Sequence, residues 1–235
     1  MRRILTVLAT SLLLFAVALP IAQAGQVEDE RAQEAARVLG DILRIPEDRI
    51  PDKLLADAQA IAVIPGVIKA GFGVGGRRGR GLIAVRGKDG TWSNPSFITL
   101  TGGSFGFQAG VQSTDVILVF RNKRGVDSIV GGKFTLGGDA SVAAGPVGRS
   151  AQASTDERLK AEILSYSRAR GLFAGVALDG TRLAIDNKSN QRVYGEGNTA
   201  RAIFEGRAGN GSNATVAFRD KLEESTVPQH EQERR

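Results

Sequence analysis

The sequence contains no cysteine and one histidine, and these two shortages exclude several classes of protein. Without cysteine the chain has no disulfide framework, no thiol nucleophile and no cysteine-ligated zinc or iron–sulfur cluster. The one histidine, His230, lies in a charged segment near the C-terminal end. A histidine-based catalytic triad and a multi-histidine metal site are therefore excluded by count.

Aromatic residues are also scarce, with one Trp, two Tyr and ten Phe, whereas glycine is abundant. The chain has 30 glycines in 235 residues, about twice the usual share. They lack the three-residue period of collagen. We therefore expect them to mark turns, bulges and positions where two backbones approach closely.

Residues 1–24 have the features of a secretory signal peptide. Met1-Arg2-Arg3 is a positively charged end, Ile4 to Ala22 is almost wholly apolar, and Ala22-Gln23-Ala24 is a small-x-small cleavage site. A retained membrane anchor is the alternative, since the run approaches the roughly 20 residues that a bilayer needs. Pro20 and the cleavage site favour removal, so we expect cleavage after Ala24 and a periplasmic or secreted protein.

The rest of the chain predicts one α+β domain over residues 25–218, followed by a disordered charged tail at 219–235. Apolar residues at three- and four-residue spacing predict helices at 27–44 and 52–60. Ile61-Ala62-Val63-Ile64 predicts a buried strand. From Gly71 to about Gly145, alternating and continuous apolar runs separated by Gly-Gly pairs predict a mainly antiparallel, twisted sheet. The predicted sheet is Gly-rich and flanked by N-terminal and C-terminal helices.

Three further elements are predicted toward the C-terminal end. The capping box Ser154-Thr155-Asp156-Glu157 predicts a helix over 158–170. Asp179-Gly180 predicts a hairpin turn between strands at 172–178 and 182–186. Residues 199–205 predict a short helix that Gly206 ends.

The positive charge of the chain is concentrated in the Gly-rich region. The formal net charge is +6, and residues 66–150 hold eleven Lys and Arg against four Asp and Glu. Residues 25–65 instead hold five basic and nine acidic residues. Clustered cations reinforce one another's potential and so indicate an anionic partner. For any single basic residue, a position on a solvent-exposed turn is the simpler interpretation.

The densest cluster is Gly71-Phe72-Gly73-Val74-Gly75-Gly76-Arg77-Arg78-Gly79-Arg80-Gly81. Glycines allow backbone N–H groups to turn toward a bound anion, and three arginines can bind phosphate oxygens with their forked guanidinium groups. Phe72 and Val74 would add apolar contact. The segment fits a hairpin loop with solvated arginines equally well.

Several kinds of chemistry are set aside. The glycine spacing over residues 71–76 mimics a dinucleotide-binding fingerprint, but a strand pattern follows where a helix is required. The carboxylates Asp115, Asp127, Asp139 and Asp179 are candidates for hydrolysis by composition only, and Ser104 has no histidine to activate it. We therefore predict a protein that is not an enzyme and needs no metal or cofactor. Export also argues against a nucleic-acid partner.

The predicted helix at 27–44 is amphipathic, but its charge argues against insertion into a membrane surface. From Glu28 to Arg44 it carries five acidic and three basic residues. Helices that lie in a membrane surface usually have a basic polar face. We therefore expect this helix to pack against the sheet.

A series of short motifs, in the same order along the chain, resembles one known family. The motifs are Ile61-Ala62-Val63-Ile64-Pro65, Lys69-Ala70-Gly71-Phe72, Gly75-Gly76-Arg77-x-Gly79-x-Gly81, Trp92-Ser93-x-Pro95-x-Phe97, Gly102-Gly103-Ser104-x-Gly106-x-Gln108-x-Gly110, Asp115-Val116-Ile117-Leu118-Val119, Lys133-Phe134-x-Leu136-Gly137, Gly145-Pro146-x-Gly148-Arg149 and Tyr166-Ser167-x-Ala169-x-Gly171-Leu172-Phe173-Ala174-Gly175. Together they resemble the SYLF domain, a lipid-binding family that includes yeast actin-patch proteins and many exported bacterial proteins. The similarity spans about residues 35–205.

The resemblance implies non-enzymatic binding of anionic phospholipid head groups at an envelope membrane surface. Actin binding belongs to the yeast branch of the family. The alternative is a structural or protein-interaction module of the envelope without lipid binding of its own, which would contact an envelope protein partner. The residues expected to contact lipid are Lys69, Phe72, Arg77, Arg78, Arg80, Lys133 and Arg149.

Overall fold

The computed structural model describes residues 25–43, 50–131, 134–147, 160–169 and 172–226, with the backbone alone at 42–43, 72–73 and 104–109. Within these residues the chain forms an α+β fold in which helices cover a curled, mostly antiparallel sheet. The helices are α1 (Gln26–Leu43), α2 (Asp52–Ala56), α3 (Lys123–Val130), α4 (Asn187–Tyr194), α5 (Ala200–Phe204) and α6 (Asn213–Thr226). The strands are β1 (Ala60–Val85), β2 (Ser96–Phe120), β3 (Phe134–Thr135), β4 (Val142–Ala144), β5 (Ile163–Ala169), β6 (Leu172–Gly175) and β7 (Arg182–Ile185).

The centre of the fold is a long antiparallel ribbon made by β1 and β2. Its register runs from the pair Ile83 and Ser96 to the pair Ala60 and Phe120. The pairing shifts at two places, between residues 64 and 67 and between residues 71 and 73 of β1. Such irregularities bend a ribbon and increase its twist.

The ribbon turns back on itself at residues 71–75, so that the two halves of β1 lie against each other. A Cβ atom added to Gly71 would lie 2.3 Å from the Cα of Gly75, and one added to Gly81 would lie 2.1 Å from the carbonyl oxygen of Val63. No residue with a side chain fits at these distances, so the abundance of glycine has a direct structural reason here.

The two faces of the ribbon contribute to two cores. On one face, Ile61, Val63 and Leu82 pack with residues of α1 and α6; we call this the helix-side face. On the other, Ile64, Val67 and Ile83 pack with α3 and β3; we call this the inner face. A Cβ atom added to Gly79 would lie 2.6 Å from Ile64, which places Gly79 on the inner face of the other half.

The remaining strands extend the ribbon along β2. The sheet has the order β3–β7–β2–β5–β4, with β1 along β2 and β6 beside β5. The first half of β2 pairs with β7 and the second half with β5, both antiparallel, whereas β4 and β5 run parallel. The α+β class and the mainly antiparallel, Gly-rich sheet with helices at both ends are confirmed.

Helix α1 agrees with its prediction. Its apolar stripe of Ala32, Ala35, Val38 and Leu39 is buried in the helix-side core, as expected for a helix that packs against the sheet. The second predicted helix is shorter than expected, because the chain becomes extended from Ala60.

Three predictions of local structure are wrong. Residues 163–169, predicted to be helical, form strand β5, while the capping box at 154–157 lies outside the described residues. Asp179-Gly180 is a turn, but the flanking strands β6 and β7 pair with other strands, so there is no hairpin. Residues 219–226, predicted to begin a disordered tail, belong to helix α6.

Strand β5 replaces the predicted helix because its residues are buried on both sides. Ile163 contributes to the inner core, whereas Leu164 and Tyr166 contribute to the helix-side core. The buried hydroxyl of Ser165 lies within hydrogen-bond distance of the carbonyl oxygens of Ala143 and Val176, and its one proton can be donated to either. Burial on two opposite faces matches the alternation of a strand and overrides a local helix-start signal.

Candidate functional site

The segment 71–81, interpreted from sequence as an anion-binding or a hairpin loop, is not a loop. It is the bent middle and second half of strand β1, paired with β2 through residue pairs such as Arg77 with Gly102 and Arg80 with Thr99. Successive side chains of a strand point to opposite faces. The three arginines of this segment are therefore divided between the two faces of the ribbon.

Arg78 and Arg80 lie on the helix-side face and are exposed. Both lie an even number of positions from Leu82 along β1, so their side chains share the face on which Leu82 is buried in the helix-side core. Arg80 lies close enough to helix α1 to influence Arg31. Burial is the main cause that lowers the pKa of Arg31, and the positive charge of Arg80 lowers it further, against the effect of Asp186 and Glu28.

Arg77 lies on the inner face, the side of the ribbon opposite to Arg78 and Arg80. It lies two positions before Gly79 on β1 and therefore on the same face, and Gly79 is the position that packs against Ile64. The side chain is half-buried, and its Nε atom is buried without a hydrogen-bond partner. Burial lowers the pKa of Arg77, and no described carboxylate acts against this effect.

Lys69 lies on the first half of β1, where it pairs with Gln112 and is half-buried. It shares the alternation of Val67 and therefore lies on the inner face. Phe72 is part of β1, but its side chain is outside the described residues. Lys133 and Arg149 lie outside the described residues altogether.

The other cations of the Gly-rich region lie elsewhere. Arg86 stacks on the ring of Trp92, with its guanidinium carbon 4.8 Å from the ring centroid, and donates to the carbonyl of Ala56. Arg124, at the start of α3, lies 4.0 Å from the carboxylate of Glu162. The concentration of charge seen in the sequence is therefore spread over both ends of the ribbon.

The four described cations of the folded ribbon are set apart by their lack of ion pairs. Among the residues that the structure describes, Lys69, Arg77, Arg78 and Arg80 form no ion pair within 4.0 Å, whereas many other arginines do. Their positive charge is therefore available to a partner outside the chain.

Exposed apolar side chains surround the bend of the ribbon, and sequence analysis did not select them as a group. Ile68, Val74 and Val111 are 51 %, 70 % and 75 % exposed. All three have the alternation of the helix-side face, and the two halves of β1 meet between Ala70 and Gly75. We call these three residues the apolar tip. Val74 was noted within the arginine cluster, but the strand pairing that joins it to the others is not visible in the sequence.

Helix α1 is fixed to the body of the protein by ion pairs at both ends. The carboxylate of Glu28, which is buried, accepts from Arg192 at 2.7 Å. Near the other end, Asp41 accepts from Arg168 at 2.6 Å, and Arg168 also contacts Asp115 at 2.9 Å. The helix is thus packed on the sheet, with Glu28 and Asp41 engaged by arginines of other elements.

The described residues offer little for metal or catalytic chemistry. Across the described ranges there is no group of three or more His, Cys, Asp or Glu side chains that could hold a metal ion. Asp115 is engaged with Arg168 and with the N–H of Gly66 at 3.0 Å, and Asp139 accepts from the N–H of Thr135 at 2.6 Å. These two carboxylates thus have structural partners. In the same described part of the chain, the helices are too short or too polar to cross a bilayer.

The chain matches the model of one protein family and is similar in sequence to several named proteins. A family model described as Ysc84, Las17-binding protein actin regulator, matches residues 101–225. LAS seventeen-binding protein 3 of Saccharomyces cerevisiae is 37 % identical over 183 residues, which cover 74 % of this chain and 40 % of that protein.

Two further relatives give the same result. Protein YSC84 of Saccharomyces cerevisiae is 40 % identical over 161 residues, covering 67 % of this chain and 34 % of that protein. SH3 domain-containing YSC84-like protein 1 of Homo sapiens is 37 % identical over 169 residues, covering 69 % and 49 %.

The chain spans less than half the length of these three relatives. One of them is named as a binding protein, and the family model is described as an actin regulator. The family match covers more than half of the chain, and it includes most of β2 and, among the described residues, helices α3 to α5 and nearly all of α6. The predicted family is confirmed: this chain belongs to the Ysc84 (SYLF) domain family.

Proposed function

We propose that this protein binds anionic phospholipid head groups at a membrane surface, without catalysis, through the bent end of the β1–β2 ribbon. One observation carries the proposal: the unpaired cations Arg78 and Arg80 share the helix-side face with the exposed apolar tip. A lipid surface offers both of the partners that such a face needs. Its head groups are anionic, and its acyl region accepts apolar side chains.

The magnitudes fit a weak and salt-sensitive attachment. Each Lys or Arg near an anionic surface contributes about 1 kcal/mol, so Arg78 and Arg80 together contribute about 2 kcal/mol. Transfer of exposed aliphatic side chains out of water adds about 25 cal/mol for each Å² that becomes buried. At physiological salt the charge contribution is reduced, because exposed charges are screened. Neither contribution alone therefore gives stable attachment.

The proposed mode of contact does not use helix α1. Its apolar stripe is buried in the helix-side core, and Glu28 and Asp41 are held by arginines of other elements. Insertion of this helix into a bilayer would break these contacts. If residues 1–24 direct export, the lipids that the ribbon meets are envelope lipids such as phosphatidylglycerol, cardiolipin or lipopolysaccharide.

Flotation with vesicles tests the proposal. The protein is mixed with vesicles of phosphatidylcholine alone or with added phosphatidylglycerol, at low and at high salt, and the recovered fraction is measured. We expect recovery with the anionic vesicles at low salt and its loss at high salt. Equal recovery with both vesicle types would refute lipid binding by charge.

A charge-matched pair of variants locates the contact. Arg78→Ala with Arg80→Ala removes two exposed cations from the ribbon, and Lys188→Ala with Arg201→Ala removes two exposed cations from helices α4 and α5. We expect the first double variant to lose most of its recovery and the second to keep it. Equal losses would mean that net charge alone attracts the protein to the vesicles.

A protein partner is the second candidate function. The relatives are named as Las17-binding or Ysc84-like proteins, and the family model is described as an actin regulator. An apolar tip flanked by cations also fits an acidic protein surface. Crosslinking in intact cells separates the two functions. A defined protein adduct, together with no recovery on anionic vesicles, would favour the protein partner.

A further inference from the structure

The exposed part of the helix-side face continues from β1 across β2 onto β7. Thr101 of β2 pairs with Arg78 of β1 on one side and with Arg182 of β7 on the other. Residues that are directly opposite on neighbouring strands have their side chains on the same face of the sheet. Arg78, Thr101 and Arg182 therefore form one row across three strands, and all three are exposed. We call these three residues the arginine row.

The packing of β7 agrees with this direction of Arg182. Its two neighbours in sequence, Thr181 and Leu183, are completely buried, and Leu183 belongs to the core on the inner face. Alternation along the strand then puts the side chain of Arg182 on the opposite, helix-side face. Arg182 also pairs with Thr135 of β3, so the row reaches the edge strand of the sheet.

The surface beside the arginine row is open to solvent. Two positions further along both strands, Gly76 pairs with Gly103, and both residues are exposed. A Cβ atom added to Gly103 would have no neighbour within 4 Å, and one added to Gly76 would have its nearest neighbour, a carbonyl oxygen, at 3.8 Å. A ligand can therefore reach the row along a stretch of sheet that carries no side chains of its own.

The row offers hydrogen-bond donors that the protein itself does not use. Across the described residues, Arg78 and Arg182 form no ion pair within 4.0 Å, and the hydroxyl of Thr101 makes no hydrogen bond. Arg80, two positions after Arg78 on the same face, adds a third exposed guanidinium group without an ion pair. Three cations on one open face attract an anion more strongly than any one of them does.

The carboxylates near this end of the sheet do not neutralise the row. Asp139, Asp179 and Asp186 all lie in or beside β3 and β7, but none of them is within ion-pair distance of the described arginines of the row. Asp139 accepts from a backbone N–H of β3 at 2.6 Å, and Asp179 lies against Gly137. Asp186 lies 3.4 Å from Arg31 of α1.

The chemistry of the row selects an oxyanion with several acceptor oxygens. Guanidinium groups can only donate hydrogen bonds and stay charged, and a threonine hydroxyl can donate as well. Adjacent strands are about 4.8 Å apart, so Arg78 and Arg182 originate about 10 Å apart on either side of Thr101, and both side chains are long enough to close on one group above it. A phosphate group matches the forked donors of two arginines.

We propose that Arg78 and Arg182 hold one lipid head-group phosphate between them above Thr101, with Arg80 beside it. This inference rests on the proposed function and extends its contact from the ribbon onto β7. The new element is Arg182, which belongs neither to the arginine cluster of the sequence nor to the motifs shared with the family. The contact is then a site with a fixed position and not a diffuse attraction of charge.

Arg182→Ala tests the site in the full-length protein. Partition onto vesicles of phosphatidylcholine with phosphatidylglycerol is measured at low salt, and Arg201→Ala, which removes an exposed arginine from α5, is the matched control. We expect Arg182→Ala to partition at least about fivefold more weakly than the wild type and Arg201→Ala to partition as the wild type does. Equal partition of the two variants would overturn the site.

Two variants that keep the net charge separate a phosphate site from attraction by charge. Thr101→Val removes the hydroxyl between the two arginines, and Arg182→Lys keeps the charge but not the fork. We expect both to weaken partition several-fold. Unchanged partition in both would overturn the phosphate site.

A double variant tests whether the two arginines share one phosphate. If they do, Arg78→Ala with Arg182→Ala should lose little more than either single variant, because either change alone breaks the site. Losses that multiply would mean two independent contacts and would overturn the shared site.

A soluble probe makes failure of the site distinguishable from failure of the proposed function. Glycerol 3-phosphate is added to the ¹⁵N-labelled protein, and we expect saturable shifts of the backbone amide signals of Thr101 and Arg182. The same spectra show whether each variant is folded. Absence of saturable shifts in the wild type would overturn the site even if the vesicles recover the protein. Saturable shifts without recovery on anionic vesicles would refute the proposed function and the lipid source, and would assign the row to a soluble phosphate compound.

Discussion

The buried carboxylate of Glu28 at the start of α1 accepts a hydrogen bond from Arg192 of α4 at 2.7 Å. The two residues are 164 positions apart in sequence, and Glu28 is only 1 % exposed. Ser189, on the same helix as Arg192, donates to the same carboxylate oxygen at 3.0 Å. The start of the described chain is thus attached to a helix near its end.

Removal of Arg192 should destabilise the protein. Arg192→Ala leaves the Glu28 carboxylate with less compensation for its burial, and we expect a loss of about 2 kcal/mol in the free energy of unfolding. Urea denaturation followed by circular dichroism measures this loss. Lys188→Ala, on the same helix and exposed, is the matched control and should change stability by less than about 0.5 kcal/mol. Equal stability of the two variants would contradict a structural role for this ion pair.

Asp186 should make stability depend on pH at the acidic end. Burial by itself would raise the pKa of Asp186, but hydrogen bonds from Ser189 and the charge of Arg31 outweigh it and lower the pKa below its ordinary value. A carboxylate with a lowered pKa in the folded state stabilises that state above about pH 4, and the contribution is lost as the pH falls through the folded pKa.

Asp186→Asn tests this dependence, because asparagine can still cap α4. We expect the variant to be about 1 kcal/mol less stable than the wild type at pH 7, with the difference shrinking as the pH falls below about 4. Urea denaturation at several pH values gives both curves. A difference that stays constant down to pH 2 would contradict the lowered pKa.

The variant Thr181→Val should be more stable than the wild-type protein. The variant removes a buried hydroxyl that has no hydrogen-bond partner, which costs the wild type about 1 to 3 kcal/mol, and it keeps the volume of the side chain. Thr215→Val is the matched control, since Thr215 is equally buried but its hydroxyl donates to Ser212 at 2.8 Å. We expect opposite signs for the two changes in unfolding free energy, and a loss of stability in Thr181→Val would argue against an unsatisfied hydroxyl.

Gly81→Ala should be strongly destabilising. Its Cβ atom would lie 2.1 Å from the carbonyl oxygen of Val63, so the two halves of β1 would have to separate. We expect a loss of more than about 4 kcal/mol or failure to fold. Gly103→Ala, in the same ribbon but with nothing within 4 Å, should change stability by less than about 1 kcal/mol. Thermal unfolding of both variants measures the contrast, and similar melting temperatures would show that the ribbon does not fold back as described.

The apolar tip should contribute to vesicle binding independently of charge. Val74→Ser with Val111→Ser should lower recovery on anionic vesicles at low salt several-fold, because two exposed side chains can no longer leave water. Val27→Ser is the control, since Val27 is also exposed but lies on α1. Unchanged recovery in the double variant would limit the interaction to the head groups.

The helix at residues 27–44 and the division into a Gly-rich sheet with helices around it could be predicted from the sequence. In α1 the residues Ala32, Ala35, Val38 and Leu39 recur with helical spacing and face one core, so local periodicity and tertiary packing agree. Strand β5 shows the opposite case. Ile163, Leu164 and Tyr166 are spaced for either structure, and burial between two cores, which depends on distant residues, selected the strand.

The candidate site could be predicted only in part. The cluster of Arg77, Arg78 and Arg80 is visible in the sequence, but alternation along β1 puts Arg77 on the opposite face from the other two because the segment is a strand. No motif in the sequence pointed to Thr181 or to its buried, unpaired hydroxyl. Its position beside Gly102 follows from the pairing of β7 with β2, which joins residues about 80 positions apart.

The folded ribbon also sets the order in which the chain can assemble. Ile83 and Ser96 are 13 positions apart, whereas Ala60 and Phe120, at the other end of the same ladder, are 60 apart. Closing a short loop costs less entropy than closing a long one, so pairing should start beside the turn at 88–90 and proceed toward the bend. The core under α1 and α6 takes Leu82 and Phe97 from the half that pairs first and Ile61 and Val63 from the half that pairs last, so we expect these helices to dock only after the ladder is complete.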